Sequence, residues 1–151
     1  MSIWFGNPTI EETRSHHLGL LASHLGIEFT EFGPDYLRGT MPVVPHTRQP
    51  MGYLHGGASL ALAETLGSVA ANYVVDFEKF RCMGQEINAN HLRPVADGVV
   101  TGTARPIHIG ARSQVWGIEI RDSRDRMVCI SRLTMAVLDV RARSTDKESA
   151  K

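Results

Sequence analysis

The chain has 151 residues, with sixteen basic and sixteen acidic side chains, 42% hydrophobic and 21% charged residues. That length suits one domain around one core, and the balanced charge implies no nucleic-acid or other polyanion-binding surface, although a local basic patch has room for a small phosphorylated ligand. No apolar run approaches the roughly 20 residues of a bilayer-spanning helix. The stretch from Met1 to Ile10 also lacks the basic-then-apolar pattern of a secretory leader. Cys82 and Cys129 stand far apart among apolar neighbours, as expected of buried, reduced thiols in a cytoplasmic protein.

Along the chain, Pro8 to Leu25 reads as one helix. Thr9 and Glu12 have capping-box spacing, and Gly26 is a natural stop. Two short strands follow, Ile27–Phe32 and Tyr36–Pro42, joined by the turn-forming Gly33-Pro34-Asp35. Val43 to Leu54 contains Pro45, Pro50 and Gly52 and is irregular. Ala58 to Val75 is rich in Ala and Leu, free of proline, and is the one long helix signal. Four strands complete the pattern: Cys82–Leu92, Val99–Ile109, Ser113–Arg121 and Met127–Val140. Breaks fall at Pro94–Gly98, Gly110 and Asp122–Arg126. Alternation of Val115, Gly117 and Glu119 with Trp116, Ile118 and Ile120 fits a sheet with one wet and one buried face. From Arg141 the sequence is charged and small, as in a disordered tail. One long helix among six antiparallel strands must bury its apolar surface against the sheet, which gives an α+β domain over 1–140 with the sheet wrapped round the helix. The open sheet edges invite pairing with a second copy.

The chemistry concentrates where the irregular loop meets the long helix. His55-Gly56-Gly57 lies at the helix start, where backbone N–H groups lack intrahelical acceptors and the helix dipole favours an anion or a developing oxyanion. Gly57, Ala61, Glu64, Ser68 and Ala71 recur at spacings of three or four and share a small, apolar face interrupted only by Glu64 and Ser68. A solvent-facing glutamate is the simpler explanation of Glu64, since glutamate forms helices well. Its flanks, Leu60 to Ala63 and Leu66, Val69 and Ala70, offer no wet face, and a carboxylate in such surroundings tends to be functional. His55 fits helix capping as well as it fits catalysis.

His55-Gly56-Gly57-Ala58-Ser59 followed by Leu62-Ala63-Glu64-Thr65-Leu66-Gly67-Ser68 resembles the signature of hotdog-fold acyl-CoA thioesterases. The nearest likeness is to the branch of 1,4-dihydroxy-2-naphthoyl-CoA and 4-hydroxybenzoyl-CoA thioesterases. It continues through Gln49-Pro50, Glu86 to Pro94, Pro106 to Gly110, Gln114-Val115-Trp116 and Ser131 to Thr134, covering Leu25 to Leu138. The resemblance implies a curled antiparallel sheet around one central helix, with dimers that pair their sheets and usually form tetramers. It implies that Glu64 attacks the thioester carbonyl or activates a water, and that Ser68 positions the carboxylate or that water. It further implies that Gln49, His55 and the Gly56 N–H reach in from the facing subunit to polarise the carbonyl oxygen. Arg93 and Arg112 then meet the nucleotide phosphates of coenzyme A, with His91 and His108 as further contacts, while Met51, Tyr53, Val69 and Tyr73 line the acyl pocket. No cofactor is implied.

Four other readings compete. Gly57-Ala58-Ser59-Leu60-Ala61 approximates a nucleophile elbow, yet no strand leads into it and Ala61 replaces the second glycine. A metal site from His55, Glu64 and a later histidine lacks any compact ligand spacing. A hotdog dehydratase or hydratase would usually carry a Gly-His-Phe-Pro-type segment before the helix, which is absent. A non-catalytic acyl-CoA-binding module leaves Glu64 and Gln49 without a purpose.

Overall fold

A computed structural model describes residues 2–141; the expected tail, Arg141 apart, lies outside the described residues. Its helices are α1 (Ile10–His16), α2 (Leu21–His24) and α3 (Gly56–Tyr73). Its strands are β1 (Glu28–Phe32), β2 (Leu37–Pro42), β3 (Phe80–His91), β4 (Val99–Ile109), β5 (Ser113–Arg121) and β6 (Met127–Asp139). The strands form one six-stranded sheet in the order β1-β2-β4-β5-β6-β3, antiparallel at every pairing.

The long helix and the strands fall where the sequence puts them, but the expected helix over Pro8–Leu25 is broken in two. Thr9 caps α1, its Oγ1 accepting the Glu12 N–H at 3.2 Å. The chain then leaves the helix at His17, and Gly19 takes φ +73° before α2 begins. Leu18, Leu20 and Leu21, at this break, are exposed. Gly26, at φ +70°, ends α2 in the left-handed conformation that glycine tolerates best.

α3 packs against β2, β3, β4, β5 and β6. Leu62, Ala63, Leu66 and Ala70 on its inner face are fully buried, and each leucine so removed from water contributes roughly 1.5–3 kcal/mol. Close approach is possible because Gly39 of β2 and Gly102 of β4 leave a notch for Leu66. A Cβ on either would lie within 2.8 Å of a Leu66 methyl. Trp116, Ile118 and Ile120 point inward and are fully buried while Glu119 is exposed, as the alternation requires. The buried Trp116 indole donates to Gln114 Oε1 at 2.9 Å, and Gln114 Nε2 donates to the Ala71 carbonyl at 3.3 Å, so the polar atoms of these two core side chains are satisfied.

The N-terminal segment runs across the end of α3. Ile3 N–H donates to the Pro34 carbonyl, Phe5 N–H to the Tyr73 carbonyl and Trp4 Nε1 to the Gly33 carbonyl. At the opposite edge of the sheet, the twelve-residue β3 has no strand on its outer side among the described residues. No helix among the described residues is long and apolar enough to cross a membrane.

Candidate active site

Glu64 lies halfway along α3 on the face turned away from the inner leucines, partly buried. Ser68, one turn further on, donates its hydroxyl to Glu64 Oε1 at 2.9 Å. Opposite stands Gly84 of β3, so close that a Cβ there would lie 2.6 Å from Oε1. Asn72, the next turn of α3, accepts the Cys82 N–H at 2.9 Å and donates to the Cys82 carbonyl at 3.1 Å and the Ser68 carbonyl at 3.0 Å. The carboxylate therefore sits between helix and edge strand in a frame held by hydrogen bonds on both sides.

Ser68 and Asn72 open onto a cavity of about 520 Å³, shared by Val69 and Tyr73 of α3, Phe77, and the N-terminal Phe5, Pro8, Thr13 and His17. The Thr13 hydroxyl donates to the Thr9 carbonyl at 2.8 Å, which leaves the Tyr73 phenol to donate to Thr13 Oγ1 at 3.2 Å. Tyr73 is thus pinned by α1. Val69 and Tyr73, two of the residues expected at an acyl pocket, line this cavity; the contribution of the N-terminal segment has no signal in the motif.

The other expected residues gather at the start of α3. A tight loop brings Gln49 back to Tyr53, with Gln49 N–H donating to the Tyr53 carbonyl at 2.8 Å and Gly52 N–H to the Gln49 carbonyl at 2.9 Å. Gln49 Oε1 accepts the Met51 N–H, so its amide NH₂ remains as a donor. His55 is the N-cap of α3: its Nδ1 accepts the Gly57 N–H at 2.8 Å, which places the proton of the neutral ring on Nε2. Gly56, at the first helical position, presents an N–H with no intrahelical acceptor. Gln49, Met51, Tyr53, Gly56, Ser59, His91 and Arg93 line a second cavity of about 440 Å³. His91 packs its Nε2 against Gly56, and Arg93 donates to the Met127 carbonyl at 2.9 Å.

Within one chain, then, the expected residues divide. Glu64, Ser68, Val69 and Tyr73 belong to the middle and end of α3; Gln49, Met51, Tyr53, Gly56, His91 and Arg93 belong to its beginning, where His55 caps it. His108, late in β4, and Arg112, in the turn to β5, are exposed and line neither cavity. The described residues bring together no three His, Cys, Asp or Glu side chains able to hold a metal ion. Both cysteines are buried free thiols, and burial pushes Cys82 up to about 11 and Cys129 upward as well. Neither offers a thiolate nucleophile at neutral pH. Asn72 and Gly84 were missed, although an isolated glycine within a strand signals a bulge or a close approach.

The profile of the thioesterase superfamily matches residues 51–129, more than half of the chain. The chain belongs to that superfamily. It is 46% identical over 136 residues to the Escherichia coli 1,4-dihydroxy-2-naphthoyl-CoA hydrolase, covering 90% of this chain and 99% of that one. It is 48% identical over 136 residues to the proofreading thioesterase EntH of Cronobacter turicensis, covering 90% and 98%. A thioesterase of Pseudomonas aeruginosa, solved as a Gln-to-Ala mutant, superposes with a TM-score of 0.91 at 42% identity, covering 92% of this chain and all of that one. The six-stranded sheet around α3 is accordingly a hotdog fold, and the protein is a thioester hydrolase.

Proposed function

We propose that the protein hydrolyses acyl- or aroyl-coenzyme A to the free acid and coenzyme A, at a site completed by a second copy of the chain. The observation that carries this reading is the Glu64–Ser68 pair at 2.9 Å, with Ser68 lining a cavity that Val69, Tyr73, Val75 and Phe77 share with polar residues such as His17 and Asn72. Glu64 acts on the thioester carbonyl as nucleophile or as general base toward water. Water supplies the hydroxyl of the acid and the proton that completes the coenzyme A thiol. A thiolate leaves readily, so the site needs oxyanion stabilisation more than a strong acid. The Gly56 N–H, the Gln49 amide and His55 Nε2–H provide those donors from the facing copy.

The unpaired outer side of β3 supports pairing of two copies. It is long, carries the exposed Met83, and among the described residues pairs with no further strand, only Cys82 being capped by the Asn72 side chain. An edge of this kind is stabilised by joining another sheet edge to edge. Dimers of this kind associate into a tetramer in our reading. Arg93 and His91, with His108 and Arg112 at the β4–β5 turn, meet the nucleotide end of coenzyme A. Two buried free thiols suit the reducing cytoplasm, and residues 1–140 constitute the single folded domain.

The test is thiol release from a panel of aroyl- and alkanoyl-CoA esters by wild type and Glu64→Ala. Turnover by wild type that collapses in the variant, with coenzyme A still bound, is the expected result. Binding without thiol release across the panel by wild type would overturn the reading.

A further inference from the structure

Gly84 does something in this fold that its own backbone does not require. It lies in β3, opposite Met135 of β6, at a bulge where Gln85 is left out of the pairing and Glu86 resumes opposite Thr134. Bulges usually call for glycine when one residue must enter the left-handed region. Gly84 is not among the glycines with positive φ, so an alanine would fit its backbone. What excludes a side chain is the Glu64 carboxylate: a Cβ would lie 2.6 Å from Oε1 and 3.6 Å from Cδ.

Neither neighbour can retreat easily. β3 is paired with β6 along its length, and Asn72 clasps Cys82 by both its N–H and its carbonyl two residues before Gly84. The same Asn72 amide donates to the Ser68 carbonyl, tying the turn that carries the Ser68 hydroxyl. α3 itself is seated in the core by Leu62 and Leu66. With strand and helix both fixed, the flexible end of Glu64 is what moves if the space at Gly84 is filled.

We propose that Gly84 is a positioning residue: the missing side chain leaves the space in which the Glu64 carboxylate rests against Ser68, and a Cβ there drives the carboxylate off its reacting position. This rests on the reading of Glu64 as the catalytic carboxylate. Because the clash is with the far end of a flexible side chain, the substitution costs the fold little and the chemistry much. A displacement of about 1 Å can lower a rate about a hundredfold.

The test compares Gly84→Ala in wild-type and Glu64→Asp backgrounds, using the acyl-CoA ester that wild type turns over fastest. In the wild-type background kcat should fall about a hundredfold with KM held within about threefold. In Glu64→Asp, whose shorter carboxylate leaves room beside a Cβ, the same substitution should cost less than about a tenth as much. An equal loss in both backgrounds, or wild-type kcat in Gly84→Ala, would overturn the proposal while leaving the role of Glu64 intact. Glu64→Ala in the same assay separates the two claims, since full turnover by that variant would remove both. If Gly84→Ala does not fold, Gly84→Ala/Glu64→Ala decides the matter. Recovery of the melting temperature of Glu64→Ala supports the carboxylate as the obstacle, and failure to fold in both backgrounds overturns it.

Discussion

The two ends of α3 are built differently. Around Glu64 the polar groups find partners inside the chain: Ser68 on the carboxylate, Asn72 on Cys82 and Ser68, Tyr73 on Thr13. At the helix start the groups that matter keep a donor in reserve. The His55 Nδ1 and the Gln49 Oε1 accept the Gly57 and Met51 N–H groups, which leaves the Nε2–H of one and the NH₂ of the other as donors. One end fixes a carboxylate, and the other presents donors that no described residue of the same chain accepts. A thioester needs both, so the asymmetry is what a site divided between two copies would require of each.

The largest effect expected from breaking this division is Glu64→Ala, which should lower kcat by about 10²–10⁴-fold, the range for a positioned acid–base group. Gln49→Ala comes next: loss of an oxyanion donor should lower kcat by about 10²–10³-fold without unfolding the protein. His55→Ala should depress kcat and also cost about 1 kcal/mol of stability, read from denaturant melts, because the Gly57 N–H loses its cap. His55→Asn sharpens that result, since asparagine caps well: stability should return while kcat stays low.

The smallest effect concerns neither end of the helix and serves as the control. Asp122 is held down to about 2 by the Arg126 guanidinium and by the N–H groups of Arg126 and Arg124. A carboxylate depressed below its ordinary 3.8 adds stability above that pH and loses it as pH falls toward 2. Melting temperatures should therefore drop between pH 4 and 2 more steeply in wild type than in Asp122→Asn, with activity at neutral pH unchanged.

Much of this was legible in the sequence. Six strands and the long helix follow from alternation, proline placement and an Ala/Leu-rich run, and Glu64 stands out because its neighbours leave it no wet face. Gln49 and the oxyanion role proposed for His55 are reached only through family likeness, and within one chain Gln49 lines a separate cavity from Ser68. The break at Gly19 left no decisive signal, because a single glycine is tolerated inside a helical pattern. Asn72 and Gly84 escaped for a different reason. Their importance lies in a contact between α3 and β3, and no local pattern records which strand residue faces which helix turn.

Co-expression of Glu64→Ala with Gln49→Ala, each carrying a different tag, tests the divided site most directly. In a mixed pair, one of the two sites regains both the carboxylate and the amide. Random mixing then predicts about a quarter of wild-type turnover from two chains that are each inactive alone. If the purified mixed species shows no more activity than either variant by itself, the donors and the carboxylate do not meet across two copies, and the account is wrong.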